Sequence, residues 1–215
     1  MKKQIHIAIA DDHDIVREGL IALLQRHEII KVIFDVSNGK ELLEKLKTVK
    51  PDIILLDLDM PILSGREAFE KIKQRFPRVK IIIISATFND QIIVDYVKKG
   101  VNSFLHKNCK LDKLIDTICS VQENEFYFDS KISKMLAKEI SEPTEPQGKI
   151  VFSEIELNIL EYLCQGLTSK QIGEKLFINY RTVEFHRSQM LKKINSKNVP
   201  ALIIYAVKNN LLHIS

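Results

Sequence analysis

The sequence predicts an α/β chain: a doubly wound, five-stranded parallel sheet followed by a second, smaller all-α domain. Three observations carry this expectation. Short β-branched runs alternate with segments of helical period over the first ~120 residues, a proline-containing stretch follows, and the charge balance changes beyond it. The runs lie at residues 5–10, 30–36, 52–57, 80–85 and 101–105, and their near-continuous apolar character suits strands covered on both faces. Between them, residues 14–26, 39–48, 65–76, 89–99 and 110–122 place apolar side chains three and four apart, as Ile15, Leu20, Leu23 and Leu24 do in the first. Pro51, Pro77 and Gly100 stand just past the second, third and fourth of these, where helices stop.

The stretch 141–149 holds two prolines, a glycine and spaced acids, which neither continue a helix nor bury apolar surface, so it reads as a linker. Residues 1–146 carry 23 Lys and Arg against 23 Asp and Glu; residues 147–215 carry 9 against 5, so the whole net charge of +4 belongs to the tail. Before the linker, residues 129–140 begin with a capping Asp129 and align Ile132, Met135, Leu136 and Ile140, the pattern of an amphipathic connecting helix. The domains expected are therefore 1–124, a linking segment 125–149, and 150–215.

At 45% hydrophobic and 28% charged, the 215 residues have a globular composition that excludes disorder and fibres. The absence of Trp and 7% aromatics argue against a carbohydrate- or membrane-facing surface. Nothing approaches the ~18 uninterrupted apolar residues of a membrane helix, and the apolar run after Lys3 is too short for a signal peptide, so no membrane association and a cytoplasmic location are expected. Cys109, Cys119 and Cys164 lack metal-ligand spacing and read as buried free thiols.

In a doubly wound sheet, ligands bind beyond the carboxyl ends of the strands. There the sequence gathers Asp11 and Asp12 after the first strand, Asp57 ending the third, Ser85 ending the fourth and Lys107 after the fifth. Converging carboxylates repel unless a cation neutralises them, and an all-oxygen site suits Mg²⁺. With that ion and the Lys107 ammonium beside it, Asp57 has the setting of a nucleophile toward a phosphoryl group, and Ser85 can bond a phosphoryl oxygen. Each residue alone has a duller reading, as turn former or solvated charge; their joint placement, one group at the end of each strand, favours the site.

The runs Ala10-Asp-Asp-His-Asp14, Leu55-Leu-Asp57-Leu-Asp-Met-Pro61-Ile-Leu-Ser-Gly65, Ile84-Ser-Ala86 and Phe104-Leu-His-Lys107 resemble the response-regulator receiver domain, a flavodoxin-like module, over residues ~4–122. The resemblance implies Asp57 as phosphoacceptor, Lys107 and Ser85 beside it, and Mg²⁺ held by Asp12, by Asp11 through water, by Asp57 and by the Asp59 backbone carbonyl. It further implies Phe104 as the aromatic that rotates with Ser85 in switching, and Asp59 and Thr87 as residues flanking the path of the water that removes the phosphoryl group.

In the tail, Ser153 with Glu156 has the form of a capping box opening a first helix that ends near Gly166. A short helix from Thr168 to Leu176, a three-residue turn and a helix from Asn179 to about Ile194 make a helix-turn-helix, followed by a fourth helix from about Val199 to Asn209. Residues 177–197 hold Arg181, Arg187, Lys192, Lys193 and Lys197 against Glu184, and Arg181, Gln189, Lys192 and Lys193 offer donors to phosphates while Val183, Met190, Leu191 and Ile194 face the core. Phe152–Leu160, Gly166–Ile172, Leu176–Val183 and His186 resemble the LuxR-type helix-turn-helix, so the whole chain resembles a NarL/FixJ-class response regulator. That implies a regulator of transcription, not an enzyme: a sensor histidine kinase as donor, paired half-sites on double-stranded DNA, and a homodimer when active. Glu184, Phe185 and Ser188 would face bases, and Lys170, Thr182, Arg187 and Lys192 would lie near phosphates. Gly173 stands where the family usually has Ala, and Glu184 where basic or polar residues are frequent; a carboxylate there can accept from cytosine N4 or repel phosphates.

Two rival readings stand beside this one. Asp57-Leu-Asp59 superficially matches the nucleophile and acid/base pair of haloacid-dehalogenase-like phosphatases, but that motif belongs after a chain's first strand and here follows the third. A receiver-like regulator that switches without phosphorylation finds no support in the intact acid, hydroxyl and lysine set.

Overall fold

A computed structural model describes residues 4–86, 89–128, 132, 150–165, 167–196, 199–209 and 211. The expected helix at 129–140, the linker, and Thr87 lie outside the described residues, apart from Ile132. The chain divides into two compact units, residues 1–88 with 101–126, and residues 89–100 with 127–215.

The strands are β1 (Ile5–Ala10), β2 (Ile30–Val36), β3 (Ile53–Leu56), β4 (Lys80–Ser85) and β5 (Ser103–His106), all parallel, in the order β2-β1-β3-β4-β5. Ile7, Ile53, Ile54, Leu56 and Ile81, Ile82, Ile83 are fully enclosed, as strands covered on both faces require. The helices between strands are α1 (Asp14–Leu24), α2 (Gly39–Lys45), α3 (Gly65–Arg75) and α4 (Asp90–Lys98), with α5 (Leu111–Asn124) closing the series. The fifth strand begins two residues later than the sequence suggests, because the Asn102 side chain accepts from the Ile81 amide and takes that ladder position. In α1 the expected Leu20 and Leu24 lie inward together with Val16, at four-residue spacing, whereas Ile15 is 88% and Leu23 38% exposed, so only part of the expected apolar face is covered.

This order reverses between β1 and β3, which opens the switch-point crevice at their carboxyl ends. The Asp57 amide donates to the Ala10 carbonyl at 2.8 Å, so the two strand ends are locked in step and Asp11 and Asp57 emerge side by side. The β3–α3 turn then folds back hard. Ile62 takes a left-handed φ of 67°, Gly65 donates to Leu58 O at 3.0 Å, and Ser64 and Glu67 close a capping box on α3. A Cβ on Gly65 would stand 1.7 Å from the Asp57 carbonyl oxygen, so only glycine lets the turn pass the site.

The tail helices are α6 (Glu154–Cys164), α7 (Ser169–Leu176), α8 (Tyr180–Lys193) and α9 (Val199–Lys208). Ile159, Leu160, Ile172, Val183, Met190, Leu202 and Ala206 form their core. Phe177, left-handed at φ 54°, ends α7, and Asn179 caps α8 by accepting from the Arg181 amide. The departure at Gly173 has a physical reason: a Cβ there would lie 2.7 Å from the Ile178 carbonyl, which this tight turn presses against α7. The Glu156 carboxylate accepts from the Ser153 amide at 2.8 Å and from Lys193 Nζ at 2.6 Å, so the cap of α6 also anchors the end of α8.

The three cysteines are free thiols but half-buried rather than buried; burial, with the Glu161 charge adding to it, pushes the Cys164 thiol up to about 12. No helix among the described residues is long and apolar enough to cross a membrane.

Two outcomes follow. Gly65→Ala should lower the thermal stability of the chain by several degrees or more, since the backbone of β3 has to move. Burial raises the Glu156 pKa, but the bonds from Lys193 and Ser153 outweigh it and the net shift is downward. A depressed carboxylate stabilises the fold above its unfolded pKa of ~4.3 and loses that contribution as pH falls through its folded value. Glu156→Gln should therefore melt lower than the parent at pH 7, with the gap closing below pH ~4.

Candidate functional site

The site is built on strand ends. Asp11 is 2% exposed and Asp57 3%, and both carboxylates turn to the same ammonium: Lys107 Nζ lies 2.8 Å from Asp11 Oδ2 and 2.8 Å from Asp57 Oδ2. Lys107 is itself held, its amide donating to the Ser85 carbonyl at 2.9 Å, which ties the end of β4 to the residue after β5. Burial raises the Asp57 pKa above the ordinary carboxylate range, and the nearby Asp11 charge adds to this, while the Lys107 bond and charge oppose it. Burial disfavours the charged Lys107, but the bonds and charges of Asp11 and Asp57 outweigh that and raise its pKa. At neutral pH the lysine is therefore an ammonium.

Asp12 joins Asp11 and Asp57 in one cluster, while the Lys107 ammonium pairs with the latter two, so negative charge remains in excess. Asp12 Oδ1 is buried and accepts no hydrogen bond of good geometry from the described residues, although His13 Nδ1 stands 2.8 Å from it. Ligand atoms of Asp11, Asp12, His13 and Asp57 all lie within 4.8 Å of one another. An orphaned carboxylate oxygen among oxygen donors of net negative charge fits a divalent cation.

His13 is the member that sequence reasoning missed. Its amide donates to Asp11 Oδ1 at 2.8 Å and its ring nitrogen lies 3.2 Å from the same oxygen. Its adjacency to the acid pair Asp11-Asp12 is the one sequence feature that sets it apart, and adjacency alone does not turn a ring toward the pocket. Asp59 points outward, 64% exposed, with its carboxylate 3.3 Å from Arg66, while its amide donates to Asp57 Oδ1 at 3.5 Å. Ser85 is buried at the end of β4, and Phe104 is buried opposite Ile83 in the β4–β5 register.

In the tail, α8 presents an exposed stripe of Arg181, Glu184, Phe185, Ser188 and Lys192, at helical spacing, with Lys170 exposed on α7 and Thr182 half-exposed. Arg187 departs from the expectation of a free phosphate contact. It is 8% exposed, donating to Ser169 Oγ at 2.8 Å and to the Glu184 carboxylate. Val183, Arg187 and Met190 recur at i, i+4 and i+7, so residue 187 belongs to the buried stripe. Lys193, paired with Glu156, is likewise committed inside the unit.

Residues 7–119 match the family model of the response regulator receiver domain, and residues 151–206 that of the bacterial regulatory proteins of the luxR family. The chain is 34% identical over 216 residues to the oxygen regulatory protein NreC of Staphylococcus epidermidis, covering 96% of this chain and 98% of that one. It is 32% identical to NreC of Staphylococcus carnosus, with the same coverage. Among solved structures it resembles the response regulator ChrA of a heme-sensing two-component system, at 25% identity and a TM-score of 0.51 over 97% of this chain and 99% of that one. The fold is also that of RcsB in its DNA complex, at 22% identity and a TM-score of 0.59 over 96% and 99%. The family consists of DNA-binding regulators of transcription rather than enzymes, and the chain belongs to it: it is a response regulator that joins a receiver domain to a LuxR-type helix-turn-helix.

Proposed function

We propose that Asp57 accepts a phosphoryl group from a sensor histidine kinase and that the modified receiver controls DNA binding by the tail. The observation that carries this is the Lys107 ammonium shared, at 2.8 Å each, by Asp57 and Asp11. In the transfer, an Asp57 carboxylate oxygen bonds to phosphorus as the donor's nitrogen–phosphorus bond breaks; the bonding pair stays on the donor imidazole, which leaves neutral because its other ring nitrogen carries a proton. The developing charge on the phosphoryl oxygens lies beside an ammonium already in position, which costs little reorganisation. Asp11, Asp12, Asp57 and the Asp59 backbone carbonyl would hold Mg²⁺, which supplies further positive charge for those oxygens. The Ser85 hydroxyl, buried at the end of β4, would donate to a phosphoryl oxygen, and movement of Ser85 with Phe104 would carry the change outward.

The domains under this reading are 1–124, a linking segment 125–149, and 150–215. The tail binds double-stranded DNA, with α8 as the major-groove helix: Glu184, Phe185 and Ser188 toward bases, Lys170, Thr182 and Lys192 toward phosphates. The paired Arg187 is removed from the phosphate set. Two copies on paired half-sites would form the active homodimer, and the structure of two RcsB dimers bound to two parallel DNAs supports that arrangement. A regulator of this kind works in the cytoplasm.

Two experiments test the reading. The parent incubated with acetyl phosphate and Mg²⁺ should gain one phosphoryl group by intact mass, and Asp57→Asn none; equal labelling of both would misassign the site. Lys192→Ala should flatten the dependence of log K on log salt by roughly 0.9. An unchanged slope would take this lysine out of contact with the duplex.

A further inference from the structure

The recognition helix carries an acid where a duplex, itself a polyanion, should repel one. Glu184 lies at the edge of the exposed stripe of α8, and its side chain is 49% exposed. One of its oxygens, Oε1, is held from two directions: by Arg187 Nη1 one helical turn on, and by the hydroxyl of Ser169 in the first turn of α7. The same Arg187 nitrogen also donates to Ser169 Oγ at 2.8 Å. The three groups form a closed triangle joining the two helices of the helix-turn-helix, and only its Glu184 corner is exposed. The other oxygen, Oε2, takes part in none of these bonds.

Three physical consequences combine. The pair is neutral, so Glu184 can enter the field of the phosphates without bringing an uncompensated negative charge. The carboxylate is oriented before DNA arrives, so little side-chain entropy is lost on contact. A carboxylate oxygen only accepts hydrogen bonds; guanine and thymine offer major-groove acceptors at O6 and O4, cytosine offers its N4 amino group, and adenine offers an N6 amino group beside its N7 acceptor, which repels the carboxylate.

Resting on the proposed reading of α8 as the major-groove helix, we infer that Glu184 selects a cytosine in each half-site, and that Arg187 and Ser169 are positioning residues that aim it. Arg187 acts through Glu184 and touches no phosphate. The arrangement turns a residue type unfavourable for general DNA affinity into a discriminating one: guanine and thymine are rejected because the fixed acceptor meets another acceptor, and adenine is disfavoured by the N7 acceptor beside its amino group.

The test is selection of bound duplexes from a randomised pool by the full chain treated with acetyl phosphate and Mg²⁺, followed by affinity measurements at several salt concentrations. The parent should favour cytosine at one position per half-site by roughly tenfold. Glu184→Ala should reduce that preference below about twofold, leaving other positions unchanged, and Glu184→Gln should move it toward adenine, which pairs with an amide. Arg187→Ala should erase the same preference with no change in salt slope. Since loss of a buried arginine can unfold the unit, Ser169→Ala, which deletes one hydroxyl, should weaken the same preference in a folded chain. If Glu184→Ala keeps the parent's base preferences, or if Arg187→Ala lowers the salt slope by about one contact, the inference is overturned while DNA binding stands. A parent that binds no duplex overturns the reading of the tail as well.

Discussion

Two buried carboxylates sharing one ammonium are the constraint around which the receiver is arranged. Burial pushes Asp57 toward its neutral form and Lys107 toward its own, and the bonds and charges that join them oppose both shifts. Reaching this geometry requires three strand ends in register: β1 and β3 locked by the Asp57 amide, and β4 tied to Lys107 through the Ser85 carbonyl. The parallel order β2-β1-β3-β4-β5 supplies that alignment, and Gly65 gives the next turn room to pass. A site in which negative charge is left in excess is poised for a cation and for a phosphoryl group whose charge the same ammonium can meet.

The tail solves the opposite problem. Its surface has to be attractive to a polyanion, yet two of the cations on α8 are spent internally: Lys193 on the cap of α6 and Arg187 on Glu184. What remains exposed on the helix is a mixed stripe in which Arg181 and Lys192 attract, and Glu184 discriminates. Affinity and specificity are thereby assigned to different residues of one helix.

Much of this was legible before any coordinates. Strands enclosed on both faces leave unbroken β-branched runs, and the convergence of Asp11, Asp12, Asp57 and Lys107 follows from topology once those runs are placed. What stayed hidden is physical rather than accidental. His13 has no periodic or spacing signature that separates a ring turned into an acidic pocket from one in water. Arg187 enters the expected phosphate set through the family resemblance, whereas its spacing from Val183 and Met190 marks it as inward. In α1 apolar groups fall on two adjacent faces, and packing, not periodicity, decides that Leu20 and Leu24 are covered while Ile15 and Leu23 stay outside.

The shared ammonium also dictates how the site should respond to a cation, since Lys107 and a divalent ion compete for the same carboxylate oxygens. Calorimetric titration of Mg²⁺ into the parent and into Lys107→Met measures that competition directly. Removing the ammonium relieves repulsion and frees Asp11 Oδ2 and Asp57 Oδ2, so the variant should bind Mg²⁺ several-fold more tightly. Equal or weaker binding by Lys107→Met would contradict the claim that these three residues form one electrostatic unit.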